Sequence, residues 1–246
     1  MLHQQTMDQL HEMKMYGFVQ ALDEQDKDPE IRSLSFEDRL AMAVEREYLL
    51  RQDRRLTRRL QMAKLRFQAC MEDVDYRHPR GLDRSVMRRL ATCQWIRDKQ
   101  CVLIVGPTGI GKSYLACALA NKACREGFTA LYTRVPRLLH QISIARGDGS
   151  YLKLLTKISR IDVLVLDDWG LAPLGDLERR DILEIIEDRT ENRSTIVASQ
   201  LPTKKWYDCV GEPTIADAIL DRLIHRAHEL KLKGPTMRKL KKGKKG

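Results

Sequence analysis

The sequence predicts an α/β protein: a parallel sheet covered on both faces, preceded by a small all-helical domain. Three observations carry this. Beyond about residue 100, continuous apolar runs alternate with helical patterns, which is how strands buried between two layers of helices read. One strand-to-helix junction holds Gly106-Pro107-Thr108-Gly109-Ile110-Gly111-Lys112-Ser113, which fills every fixed position of the pattern G-x-x-x-x-G-K-[ST]. Up to about residue 75 the periodicity is helical, with no strand-like run.

The chain of 246 residues has room for one large domain, or a medium one with an appendage. No apolar run approaches a membrane span, and the N-terminus lacks the apolar region of a signal peptide, so a cytoplasmic protein is expected. The six cysteines include no C-x-x-C pair, and His225 and His228 have no third ligand near them in sequence; neither a disulfide framework nor a zinc site is indicated. The net charge of +10 is uneven. Residues 1–75 hold 12 basic and 15 acidic residues, whereas residues 231–246 hold eight Lys or Arg and no acid. Such a tail attracts polyanions, or simply keeps a chain end soluble.

Taken in order, the arm opens on a helix in which Thr6 and Gln9 can form a capping box and Leu10, Met13, Gly17 and Ala21 trace one face. Asp28-Pro29 breaks it. A longer helix starts near Ser35, whose hydroxyl can cap with Asp38. Its apolar stripe runs Phe36, Leu40, Val44, Tyr48, then Leu49, Leu56, Leu60, Ala63 and Phe67. Its polar face carries Arg51, Arg54, Arg55, Arg58 and Arg59, with Lys64 and Arg66 beyond. Arginines four apart repel each other, and a phosphate backbone along that face would relieve the repulsion. The same run reads equally as a solvated helix face. A second basic set, Arg146, Lys153, Lys157 and Arg160, follows the second strand.

His78-Pro79-Arg80-Gly81 reads as the linker, giving a helical domain over 1–75, a nucleotide domain over 76–236 and a basic tail over 237–246. Five strands are expected: Cys101–Val105, Thr129–Thr133, Val163–Leu166, Ser194–Ala198 and Glu229–Leu232, with helical stretches near 113–126, 137–160 and 176–190.

The glycine loop carries the chemistry. Its glycines let the backbone fold around a phosphate with several N–H groups pointing inward, and the helix that opens at Lys112-Ser113-Tyr114 adds partial positive charge. Gly106 to Tyr114 are therefore the nucleotide-binding candidates. Lys112 would reach the β- and γ-phosphates, and the Ser113 hydroxyl would ligate Mg²⁺. Asp167 and Asp168 end an apolar strand 55 residues beyond Lys112. Asp167 would complete the Mg²⁺ shell, while Asp168 would orient or deprotonate the attacking water. Gln200, with Ser199, ends the fourth strand and could sense the γ-phosphate, or merely open the Leu201-Pro202 turn.

Four segments carry a resemblance: GPTGIGKSYLACALA (106–120), LLTKISRIDVLVLDDWGLAPL (154–174), ASQLP (198–202) and GEPTIADAILDRLIHRAHELKLKG (211–234). With Leu34–Leu40 and Asp75-Tyr76-Arg77 in the arm, they resemble the IstB family of insertion-sequence helper proteins from about residue 10 to 238. These are AAA+ ATPases related to bacterial helicase loaders and the replication initiator. The resemblance implies ATP and Mg²⁺ as cofactors. It also implies assembly as homo-oligomers on double-stranded DNA, and recruitment or stimulation of a transposase. It implies a five-stranded parallel sheet of order 5-1-4-3-2, with the Gln200 strand between the two strands of the nucleotide site. It also implies an arginine supplied to a neighbouring subunit's ATP: Arg222 by position, then Arg226, although a helix-surface arginine paired with Asp221 or Glu229 reads as well.

Two departures matter. Most AAA+ proteins end the second motif in Asp-Glu, whereas this chain has Asp-Asp, as IstB-like proteins do. Only 24 residues follow Arg222, too few for the C-terminal helical lid of many AAA+ proteins, so slow hydrolysis by an isolated subunit is expected. The other readings are a replicative-helicase loader, a P-loop small-molecule kinase, and a DNA-coating protein with a vestigial ATPase.

Overall fold

The computed structural model describes residues 2–237, so the lysine-rich stretch expected over 237–246 lies, apart from Met237, outside the described residues. The chain forms two compact units, Met1–Arg58 and Arg59–Gly246. The division falls inside the long arm helix, whereas His78–Gly81, read from sequence as the linker, belongs to the second unit.

The first unit contains α1 (Leu2–Glu12), α2 (Tyr16–Lys27), the single turn α3 (Pro29–Arg32) and most of α4 (Phe36–Ala63). The one helix expected before Asp28 is two. Lys14 takes a left-handed backbone (φ 56°), and Met15 N donates back to Leu10 O, which caps α1 and turns the chain. Ser35 caps α4 as expected, its Oγ accepting from Asp38 N at 3.1 Å.

The first half of the expected apolar stripe of α4 is not its buried face, whereas Leu56 and Leu60 are half-buried and Ala63 is buried. Phe36, Leu40, Val44, Tyr48 and Leu49 are exposed, whereas Ala43 and Glu47 are buried. Gly17 explains the exchange. A Cβ there would lie 2.8 Å from Glu47 Cα, so α2 and α4 approach backbone to backbone, where only small or specifically bonded residues fit. Glu47 accepts from Gly17 N (2.7 Å) and Phe18 N (3.2 Å), and pairs with Arg51. Burial raises its pKa, but the bonds from Arg51 and these two amides outweigh burial and hold the carboxyl below its ordinary value.

The second unit follows with α5 (Arg84–Ala91) and α6 (Gln94–Arg97), then β1 (Cys101–Val105), α7 (Lys112–Arg125), β2 (Ala130–Arg134), α8 (Val135–Gly147) and α9 (Tyr151–Arg160). Next come β3 (Val163–Trp169), α10 (Asp176–Arg189), β4 (Ser194–Ser199), α11 (Trp206–Val210), α12 (Pro213–Ile224) and β5 (Ala227–Lys231). The stretch expected as one helix over 137–160 breaks at Asp148-Gly149-Ser150. Gly149 is left-handed there (φ 76°), and Asp148 accepts from Ser150 N.

All five strands are parallel and run β2-β3-β4-β1-β5 across the sheet, the order the resemblance implies. Their residues are apolar on both faces because helices cover both: Val102–Val105, Val163–Leu166 and Ile196–Ala198 are all buried. Arg189, 1 % exposed, ties the end of α9 and the turn into β3 to the start of β4. It donates to Ile158 O and Ile161 O at 2.8 Å and to Ser194 O. Burial pushes its pKa down to about 10, which leaves it charged at neutral pH. Among the described residues no α-helix follows β5, and no helix is long and apolar enough to cross a membrane.

Candidate nucleotide-binding site

Because the strands are parallel and β1 is flanked by β4 and β5, the loops after β1, β3 and β4 emerge side by side at one edge of the sheet. Ligands bind at such carboxyl ends in open α/β sheets. Three of the segments singled out from sequence meet there.

The loop after β1 runs from Gly106 to Gly111 and delivers Lys112 at the start of α7. Gly111 has a φ of 98°, and a Cβ on it would sit 2.5 Å from Arg80 Nη1. A Cβ on Gly106 would meet Leu232 O at 2.5 Å. Glycine is thus required by contact as well as by conformation. Lys112 is buried, and its Nζ donates to Gly106 O (2.7 Å) and Pro107 O (2.9 Å), closing the loop on itself. The Tyr114 ring lies 6.4 Å from that of Phe67.

The loop is also held from behind. Arg80, 1 % exposed, donates from Nη1 to Ile110 O (3.0 Å) and from Nη2 to Asp75 O (2.8 Å). Burial depresses its pKa. The segment after β5 lies along the same place: Leu232 N donates to Val105 O, Lys233 N to Arg80 O, and Met237 N to Gly109 O at 2.9 Å. Arg80 belongs to the segment expected as a linker; an arginine between Pro79 and Gly81 gives no local hint that it is buried.

Asp167 and Asp168 close β3 through a one-residue bulge, since Leu166 pairs with Val197 but Trp169 with Ser199. Asp168 takes the left-handed conformation (φ 59°), a sparsely populated state that gathers at functional sites. Asp167 is 1 % exposed. Its Oδ1 accepts from Asp168 N at 2.9 Å and its Oδ2 from the Tyr132 hydroxyl at 2.5 Å. Tyr132 and Arg66 line the same groove. Burial first, then the Asp167 carboxylate, raises the Tyr132 phenol above its ordinary pKa. Tyr132 does not stand out in the sequence, and Arg66 does so only as a member of the basic run, because the place of both beside Asp167 depends on which strand lies next to β3.

Gln200 follows β4, and its Oε1 accepts from the Thr108 hydroxyl at 2.7 Å, so the end of β4 touches the glycine loop. Ser199 meets the loop through its backbone, its O accepting from Gly106 N at 3.2 Å. Its buried hydroxyl donates to Trp169 O and accepts from Leu201 N.

The donor set suits Mg²⁺ and a triphosphate. The Ser113 hydroxyl and the Asp167 carboxylate are both hard oxygens. Among the described residues no cluster of three or more His, Cys, Asp or Glu could hold a metal by itself. Magnesium bound through one or two protein ligands completes its shell with phosphate oxygens and water.

Arg222 and Arg226 lie elsewhere. Arg222 is half-buried on α12 and bonds Glu187 Oε1 and Ala218 O, each at 2.8 Å, while Arg226 is exposed just before β5. The acid partner of Arg222 is thus on α10, not Asp221 or Glu229. Of the basic candidates, Arg51 pairs with Glu47 and Arg54 stacks over Tyr16. Arg59 donates to Cys124 O at 2.9 Å, and Arg146 pairs with Asp181 over the Tyr151 ring. Arg55, Arg58, Lys153 and Arg160 are exposed. Lys157 lines a groove of about 600 Å³ with Lys64, Arg66, Arg134 and Arg137.

Comparison with known proteins agrees with this geometry. A family model described as IstB-like ATP binding protein matches residues 8–245. An insertion sequence ATP-binding protein of Sinorhizobium fredii is 48 % identical over 239 residues, covering 97 % of this chain and 98 % of its own. Among solved structures, the DnaC helicase loader superposes with a TM-score of 0.56 at 23 % identity, covering 70 % of this chain and 100 % of that one. The replication initiator DnaA, bound to AMPPCP and single-stranded DNA, does so with a TM-score of 0.54 at 17 % identity, covering 68 % of this chain and 51 % of that one. At these identities the two structures speak for the fold alone.

Proposed function

Because the chain belongs to the family of IstB-like ATP-binding proteins, we propose that it is an ATP-dependent regulator of insertion-sequence transposition. In this reading it binds ATP with Mg²⁺, assembles as a homo-oligomer on duplex DNA, recruits or stimulates a transposase, and hydrolyses ATP as the switch that ends assembly. Gly106 to Tyr114 hold the nucleotide, with Lys112 on the β- and γ-phosphates. Ser113 and Asp167 would hold the metal, whose charge would offset that of the phosphates. Asp168 orients the attacking water, and Gln200, bonded to Thr108, senses the γ-phosphate.

One observation carries the assembly reading. Arg222 and Arg226 precede β5, which runs parallel to β1 in the register Cys101↔Ala227 to Val105↔Lys231. Four strand steps of about 3.3 Å put roughly 13 Å between that end of the sheet and the end bearing the glycine loop. Neither arginine is suited to serve its own subunit's nucleotide, and both are suited to serve a neighbour's. An arginine supplied in trans makes hydrolysis conditional on assembly. The full-length match to an insertion-sequence protein supports this reading over a helicase loader, for which only the fold speaks. The experiment is duplex DNA binding with ATP, with ADP and without nucleotide. Affinity should be highest with ATP; equal affinity in all three sinks the switch.

A further inference from the structure

We propose that Tyr132 and Arg66 are positioning residues for Asp167, linking the exposed groove beside β2 to the carboxylate of the metal site; this rests on the ATP reading above. Arg134 is in register with Asp167 across β2 and β3, so Tyr132, two residues earlier on the same face, is the diagonal neighbour of Asp167. Only a side chain as long as tyrosine spans that diagonal, and its hydroxyl ends 2.5 Å from Asp167 Oδ2.

The polarity of the chain of bonds is forced. A phenol has one proton to give, and a guanidinium only donates. An ionised carboxylate only accepts, so the tyrosine proton goes to Asp167, and the Arg66 cation, which lines the same groove as Tyr132, can meet that hydroxyl only as a donor. A carboxylate offers about four lone-pair sites. Asp168 N takes one on Oδ1 and Tyr132 takes one on Oδ2, which fixes the carboxyl plane and leaves the others for a metal.

The bulge makes this support necessary. Between Leu166 and Trp169 the β3–β4 ladder is interrupted and Asp168 is left-handed, so on the β4 side regular sheet bonding does not orient Asp167. Packing alone would be met by phenylalanine at 132; the hydroxyl is used on Asp167. Arg66 itself is exposed and lines the groove with Lys64, Arg134, Arg137 and Lys157.

The test compares full-length wild type with Tyr132→Phe, Arg66→Ala and Arg66→Lys. Mn²⁺ affinity is read by electron paramagnetic resonance in the presence of a non-hydrolysable ATP analogue, and analogue affinity is read separately in EDTA. Tyr132→Phe should weaken Mn²⁺ binding by about 10- to 100-fold, the usual effect of removing a partner of a metal ligand. Metal-free nucleotide affinity should not change. Arg66→Ala should shift Mn²⁺ affinity in the same direction by less, and Arg66→Lys should recover most of that loss. Mn²⁺ affinity equal to or tighter than wild type in Tyr132→Phe overturns the proposal. Should that variant not fold, unchanged affinity in the surface variant Arg66→Ala overturns it instead. Wild type that binds no nucleotide removes the ATP reading and the relay together, an outcome distinct from the other two.

Discussion

Replacing Gly111 by alanine tests how the glycine loop is supported. The added Cβ meets two obstacles. A φ of 98° strains any residue with a Cβ, at about 1–2 kcal/mol. The Cβ would also lie 2.5 Å from Arg80 Nη1, so the guanidinium must leave. Arg80 has nowhere to go without cost: it is 1 % exposed and donates from that nitrogen to Ile110 O. Losing one charge-assisted bond in a buried place costs about 1.5–3 kcal/mol. The sum is roughly 3–5 kcal/mol. Gly127 is the internal control. Its φ is 94°, but a Cβ there has nothing within 4 Å, so Gly127→Ala should cost only the conformational part, about 1–2 kcal/mol. For a unit of this size each kcal/mol lowers Tm by about 2–4 °C. Thermal melts followed by circular dichroism should therefore show Gly111→Ala falling by roughly 6–20 °C and Gly127→Ala by roughly 2–8 °C. A fluorescent ATP analogue should bind Gly127→Ala normally and Gly111→Ala poorly. If the two variants melt together, Arg80 does not buttress the loop and the reasoning fails.

Three further outcomes are expected. Gly17→Ala pushes a Cβ to 2.8 Å from Glu47 Cα and 2.9 Å from Arg46 O; overpacking at about 1–3 kcal/mol should outweigh the helix-propensity gain of about 1 kcal/mol, giving a protein more easily unfolded by urea. Replacing Arg222 by alanine should abolish DNA-stimulated hydrolysis while sparing ATP binding, and should cost under about 1 kcal/mol of stability because its bond to Glu187 is near the surface; retained stimulation would move the trans-acting role to Arg226. His228 is held below its ordinary pKa of 6.5 by burial and by Arg89, against an opposing pull from Asp98. The unfolded chain therefore binds a proton more readily at this position, so the stability from His228 is complete above about pH 6.5 and is lost as pH falls towards the depressed folded value. Urea denaturation from pH 7.5 to 5.5 should show a shallower loss in His228→Gln than in wild type.

Local chemistry was legible in advance. The glycine loop, the two aspartates after an apolar strand and the Ser35 cap each depend on residues within one turn or strand, and all lie where their patterns indicate. Strand positions were legible because a strand buried on both faces must be apolar throughout. Elements failed where a neighbour outvoted the pattern. The stripe from Phe36 to Leu49 on α4 is exposed because Gly17 draws a different face of that helix towards α2. The helices over 6–27 and 137–160 break at backbone states that periodicity does not encode.

The nucleotide site divides along the same line. By itself the sequence located a glycine loop ending in a lysine and a hydroxyl, and the two carboxylates that close a later apolar strand, since each is written into a contiguous run. Only the tertiary structure decided that Gln200 touches Thr108 across 92 residues, that Tyr132 bonds Asp167 across 35, and that Arg80 lies under the loop. Backbone conformation and burial patterning act over a few residues. A hydrogen bond between distant residues exists only once sheet order has set which strands are neighbours and how closely their ends approach.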